Sequence, residues 1–508
     1  MPHVWNHDRA AAHIDKKLDD VAEVTIKDFK RDMSLENIPV NTAYRVQAAH
    51  VYADIVNLSD MLAVTNIEGE LCHKRTLRFL NLHFRAVARV LAKCDARRVD
   101  FANQRLHSVV TKPYDGEESS EADRIHRAIA IAQMITDVLD QTGDEDEHIP
   151  NAKVRIGIDS GEALAVNNGR RGGREPLFLG CPANIAAKVA ARSKNTGIYL
   201  TNTARAAIGL VMCDSPETTR LTVEEIQKSQ NEAALDVTAA DIVKQWKDDL
   251  ASNPIGAFAF TRHTPPLSTM DIAALTPGNS RRQEAISIFA DLDGFSNYVA
   301  DHIENEPEQV VQTLHVIRAE LDRVLSGEFQ GRRIRYIGDC VHGLMCEGTA
   351  HNTDEEASVT DAALCAGALR SSFNLAIGKL EEAGIDTDGL GLAIGFEIGP
   401  MTVSRLGLKG DRVRVSVSRG VLASEDEQRR CAGNQTAIGE KAAAAGTQAV
   451  RELFGSNRIA DDLDYTEAVE ALAEDDKTAS ASRQAAYAHA LPAVAASATV
   501  VVKPYCDR

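Results

Sequence analysis

In the stretch ISIFADLDGFSNYVADHI, residues Ile286 to Ile303, an apolar run breaks at Asp291, and a glycine and an aromatic follow within four residues. A carboxylate at the end of a buried strand can hold a divalent cation. A backbone freed by Gly294 and leading into a helix can turn amide N–H groups toward phosphate oxygens. Leu292, Gly294, Phe295 and Ser296 are therefore the expected phosphate cradle, with Leu292 also counted beside Asp291 at the cation. A second acid, Asp339, sits in RRIRYIGDCVHGLM (Arg332 to Met345), which alternates and turns at Gly338-Asp339 as a β-hairpin would. If that hairpin lies beside the first strand, the two carboxylates hold two divalent ions, Mg2+ or Mn2+. Over a triphosphate such a pair polarises a 3′-hydroxyl and neutralises phosphate charge. Either aspartate alone is more often a helix cap or turn former. Their combination, with Gly-Phe behind the first, favours the metal reading.

The elements that must position these acids occur twice. VYADIVNLSDMLA (Val51 to Ala63) reads like IFADLDGFSNYVA (Ile288 to Ala300), placing Asp54 and Asp291 237 residues apart. RRVDFANQRLHSVV (Arg97 to Val110) matches the hairpin stretch at a spacing of 235, and VRIGIDSGEAL (Val154 to Leu164) matches LAIGFEIGPMT (Leu392 to Thr402) at 238. Three matches in order at nearly constant spacing indicate two copies of one domain, with a period far too long for a solenoid. Helical spacing over Ser59–Ala92, Ser296–Ser326 and Asn184–Ser193 adds helices packed on a sheet, an α+β fold. The chain divides into an N-terminal extension (1–40), a first domain (41–264), a linker (265–282) rich in proline and polar residues, and a second domain (283–508).

Composition narrows the function. The 508 residues suffice for about two to four domains. A formal net charge of −18 argues against a nucleic-acid tracker or an anionic-membrane binder, though not against a nucleotide pocket. Nine scattered cysteines without CxxC suggest neither zinc nor a disulfide framework. The N-terminus lacks an apolar signal core, and no run reaches the roughly 18 apolar residues of a membrane span, so a cytoplasmic protein is expected.

The stretches FADLDGFS and RIRYIGDCVHGLM resemble the two metal motifs of the class III nucleotide cyclases. The resemblance implies a ferredoxin-like domain that works as a pair, with active sites at the interface. One member supplies two metal aspartates, here Asp291 and Asp339. The other supplies base readers and an asparagine–arginine helix. The first half has Gln104 in place of Asp339 and Asn57 in place of the glycine, so it is expected to lack catalytic metals. Its GCPANIAAKVAARSKNTGIYL resembles the asparagine helix: Asn184 falls on the ribose-orienting asparagine, and Lys188 falls on the transition-state arginine, with Arg192 one turn further as the alternative. In the second half VSVSRGVLASEDEQRR lacks the asparagine and turns acidic. Each half keeps what the other has lost, so the two tandem domains are expected to form a pseudo-dimer within the chain or to pair across a homodimer.

The family's base-reader slots hold Asp100 and Leu177, matching neither the ATP nor the GTP pattern. A carboxylate at 100 favours a base edge offering N–H donors, and Arg97 could donate to a uracil carbonyl. The tandem architecture with altered readers resembles the Pycsar pyrimidine cyclases of bacterial anti-phage defence. That implies conversion of UTP to cyclic UMP, or CTP to cyclic CMP, as a signal for a separate effector protein. A purine cyclase with unusual readers and an inactive nucleotide-binding pseudo-cyclase are the alternatives. A diguanylate cyclase is disfavoured, because its signature turn is absent. His107 and His342 recur between copies and read as structural, SEDEQRR reads as a solvated face, and Lys503 is a weak candidate for a phosphate contact.

Overall fold

The computed structural model describes residues 3–114, 120–168, 176–473 and Ser480; Lys503 lies outside them. Two sheets dominate. In the first, of seven strands, the order is Arg97–Ala102, Arg105–Val110, Thr42–Ile55, Val154–Val166, Leu177–Leu179, with Gly197–Leu200 also on the fourth of these. In the second, of eight strands, Arg332–Ile337, Cys340–Met345, Ser280–Asp293 and Gly391–Leu406 follow one another in the same way. Val413–Val417 and Gln435–Ile438 pair with the last of these, as Leu177–Leu179 and Gly197–Leu200 do in the first sheet. Each half thus runs strand, helix, hairpin, helix, strand, the βαββαβ order of ferredoxin-like folds. Ser280–Asp293 is buried without a break from Ala285 to Ala290, which requires cover on both faces.

Where continuous helices were expected, the chain breaks them. Ser59–Ala92 splits into Leu58–Leu62 and Glu70–Lys93, the second starting after Gly69. Ser296–Ser326 splits into Phe295–His302 and Pro307–Arg323, with proline at the first helical position, where its missing N–H costs nothing. Between the halves, Val223–Ala233 and Ala239–Ser252 each start at a threonine capping box, and Trp246 Nε1 donates to the Leu82 carbonyl at 3.1 Å. Residues 265–282, the expected linker, are packed against the second half. They form three 3₁₀ turns that bury Leu267, Met270, Ile272 and Leu275 against Ala285, Ile334 and Leu344, and the next strand already starts at Ser280.

The N-terminal helix His7–Asp20 packs on the second half, with Ile14 in the same core as Leu321, while Trp5 Nε1 donates to Ser372 Oγ at 2.7 Å. The halves meet through guanidiniums on carbonyls and carboxylates. Arg419 donates to the carbonyls of Leu62, Thr65 and Asn66, and Arg98 pairs with Asp411 at 2.7 Å. Among the described residues no helix is long and apolar enough to cross a membrane.

Candidate active site

Asp291 lies near the end of its strand, opposite Ala393 on one side, while its neighbour Ala290 pairs with Val341 on the other. Strand Cys340–Met345 starts directly after Asp339, so the Gly338-Asp339 turn sits beside Asp291. Gly338 takes φ +61°, which favours glycine. Gly294 takes φ +79°, and a Cβ there would lie 2.1 Å from the Gly389 carbonyl oxygen, so the turn into helix Phe295–His302 admits no side chain.

The two acids feel each other. Burial pushes Asp291 up to about 6; a hydrogen bond from Cys340 opposes this, and the charges of Asp293 and Glu425 add to it. Burial pushes Asp339 well above the usual carboxylate range, and the charge of Asp291 adds to the shift. Two part-buried carboxyls are thus both held above the ordinary range, chiefly by burial, with further acid charge adding to each shift. Their all-oxygen donor set suits a hard cation such as Mg2+ or Mn2+. Leu292 is confined to its backbone at this site, because its side chain is buried in the core at 2 % exposure.

The helix Cys181–Arg192 comes from the other half. Asn184 Nδ2 donates to Ser296 Oγ at 3.2 Å, joining that helix to the turn behind Asp291. One cavity of about 110 Å³ brings Asp100, Leu177 and Asn184 together with Phe295, Gly338 and Asp339. Asp291 lines an adjoining hollow of about 370 Å³ with Asp293, Glu425 and Gln428, and Arg105 and Ile337 line both. Asp100 accepts from the Phe101 N–H at 2.8 Å and lies 3.5 Å from Arg335 Nη1.

Some expected residues stand apart. Arg97 lines a different cleft and pairs with Glu36 at 2.8 Å. Arg97 is three residues from Asp100, and its ion pair with Glu36 holds the guanidinium in that other cleft. Lys188 and Arg192 follow Asn184 by one and two turns; both are exposed and neither lines the cavity. The SEDEQRR segment is not merely solvated: Glu425 accepts from Arg105 at 2.6 Å, and Gln428 Nε2 lies 3.4 Å from Asp291 Oδ2.

Sequence reasoning missed Tyr52 and the role of His107. Their rings stack at 4.1 Å and wall the cavity, and His50 Nδ1 lies 3.0 Å from His107 Nε2. His342, by contrast, stacks on Phe289 at 4.2 Å away from the cavity. Also missed was Arg155, which faces Asp54 in the register where Ala393 faces Asp291. Its guanidinium binds Asp54 at 2.6 Å, and Asn57 ties itself to the Asn151 carbonyl and the Lys153 N–H. The alignment of the third repeat, with Arg155 against Ala393, carried that signal.

A family model for the adenylate and guanylate cyclase catalytic domain matches residues 279–437. The chain is 60% identical to a uridylate cyclase of Pseudomonas aeruginosa over 96% of its length and 95% of that protein's. It is 39% identical to a uridylate cyclase of a Rhizobium species, over 84% of this chain and 83% of that one. A solved structure of a class III adenylyl cyclase-like ATP-binding protein from Pseudomonas aeruginosa superposes with a TM-score of 0.92 at 61% identity, covering 93% of this chain and all of that one. The acid pair, the glycine turn behind it and these similarities converge: the chain belongs to the class III nucleotide cyclases, in one family with these uridylate cyclases.

Proposed function

We propose that the protein converts UTP to 3′,5′-cyclic UMP and pyrophosphate at one site between two cyclase-like domains, residues 41–264 and 283–508. The observation that carries this reading is the 3.2 Å contact from Asn184 to Ser296, with Asn184 and Asp339 lining one cavity. Asp291 and Asp339, with the backbone of Leu292, would hold two divalent ions, which when bound polarise the 3′-hydroxyl and neutralise phosphate charge. Gly294, Phe295 and Ser296 offer a close backbone and a hydroxyl to the phosphates. Asn184 orients the ribose. The 3′-hydroxyl loses its proton to solvent and its oxygen forms a bond to the α-phosphorus as the bond from that phosphorus to the β-phosphate bridge breaks and pyrophosphate leaves, and Lys188 or Arg192 meets the charge that develops.

A pyrimidine is supported by the narrow cavity, walled by the Tyr52–His107 stack, and by the carboxylate of Asp100, which accepts from the uracil N3–H. Contact within one chain supports one site per chain, so a homodimer would carry two. In this reading cyclic UMP is a diffusible signal for a separate effector in anti-phage defence. The relative described as ATP-binding makes ATP the rival substrate. Incubating the protein with UTP, CTP, ATP and GTP in turn, with Mn2+ or Mg2+, and reading products by mass spectrometry tests the proposal. Cyclic UMP should dominate, and preference for a purine would overturn it.

A further inference from the structure

A second cleft lies across the strand Arg332–Ile337. Ile337 lines the cavity described above, while Tyr336, the residue before it, lines this cleft, as strand alternation requires. Its volume, about 700 Å³, is that of a small-molecule site. The N-terminal helix His7–Asp20, the end of the strand Val154–Val166 and the helix Pro307–Arg323 enclose it.

In a chain of net charge −18 this cleft is basic. Lys17, Arg318, Arg323 and Arg333 line it, and among the described residues Asp322 is the one acid that does. Lys17 reaches Asp20 at 2.7 Å and Arg333 reaches Asp322 at 2.8 Å. Arg323 has no acid within ion-pair distance among the described residues. His315 lines the cleft with a buried Nε2 that has no hydrogen-bond partner, and burial, with the charges of Lys17 and Arg318, pushes its pKa down to about 4. The guanidiniums of Arg318 and Arg333 sit 3.6 and 4.1 Å from the Tyr336 ring centre, held as planar forks suited to phosphate oxygens.

We propose that this cleft is a second ligand site, for a small molecule bearing phosphate groups. It is coupled to the first site through one side chain: Arg318 donates to Asn168 Oδ1 at 3.0 Å, and Asn168 lines the cavity that holds Asp100 and Asn184. An occupant that grips Arg318 therefore bears on the wall of that cavity and alters turnover. The coupling rests on the cyclase reading; the binding does not.

Calorimetry on the whole chain in EDTA, with inorganic tripolyphosphate and separately with ADP, tests it. EDTA leaves the aspartate site without cations and repulsive to phosphate. At least one probe should bind at one per chain; tripolyphosphate binding points to a free phosphate chain, and binding of ADP alone points to a nucleotide. Lys17→Glu with Arg323→Glu should weaken binding at least tenfold while UTP turnover without tripolyphosphate stays within twofold of the parent. The milder Lys17→Gln with Arg323→Gln should show the same direction, which separates lost binding from lost folding. Asp339→Asn should bind as the parent does. Absence of binding to the parent, unchanged affinity in both double variants, or loss of binding in Asp339→Asn would overturn the proposal. Failure of the cyclase reading would show differently, as no cyclic product from any nucleotide while binding persists.

Discussion

Arg335 and Asp100 occupy the same position in the two copies of the repeat, 235 residues apart, and face each other: Arg335 Nη1 lies 3.5 Å from Asp100 Oδ1. Equivalent positions of the two copies thus meet at this point. Two identical acids there would repel, and two identical arginines likewise. This chain carries one of each, and Arg335, buried, also donates to the Phe101 carbonyl at 2.6 Å. The same divergence separates Asp54, held by Arg155, from Asp291, which faces Ala393. A fused pair can specialise its halves in this way.

Asp291→Asn and Asp339→Asn should each lower product formation by about a hundredfold or more, since each would remove a proposed cation ligand worth several kcal/mol of charge stabilisation. In EDTA the same variants should melt higher than the parent at pH 7.5. Both carboxyls titrate above their unfolded value near 4, Asp291 at about 6. Their contribution is complete below the unfolded pKa and is lost as pH rises through the folded one. Melting curves at pH 5 and 7.5 check this; lower melting of both variants at pH 7.5 would contradict it.

Protons and cations compete for the same two carboxylates. At limiting Mn2+, turnover should climb with pH to a midpoint no lower than the pKa of about 6 of Asp291, since Asp339 is raised as well, and saturating Mn2+ should move the midpoint down. A midpoint indifferent to Mn2+ would place the titrating group elsewhere.

Asp100→Ala should reduce kcat/KM for UTP by roughly ten- to a hundredfold, because a base N–H would lose its acceptor in the cavity. The loss should be smaller for a nucleotide that does not present that donor. An equal loss for all four nucleotides would assign Asp100 to folding, through its contact with Arg335.

Lys188 stands one turn and Arg192 two turns beyond Asn184 on one helix. Removing the cation that meets the developing charge should lower kcat by about a hundredfold with little change in KM. Single-turnover rates of Lys188→Ala and Arg192→Ala identify which it is. Rates within threefold of the parent for both, and for the double variant, would contradict a role for either.

Asp291, Asp339 and Asn184 were legible in the sequence because each sits in a short motif whose neighbours fix its conformation, Gly294 and Gly338 above all. The repeat made the two-sheet architecture legible. What escaped depends on register and on distant packing. Arg97 is held by Glu36, 61 residues earlier in the chain, a partner that no local pattern marks. Tyr52 and His107 meet only because their strands pair, 55 residues apart in the chain. Residues 265–282 read as a linker by composition, and the four apolar side chains at irregular spacing that fasten them to the second sheet carry no periodic signal.

In the proposed enzyme, aspartates from the second half and an asparagine helix from the first complete one site inside a single chain. Mixing purified Asn184→Ala protein with Asp339→Ala protein and measuring cyclic UMP from UTP tests it most directly. Little product is expected from either variant alone, and no recovery in the mixture. Full turnover by either variant, or recovery on mixing through halves exchanged between chains, would contradict it.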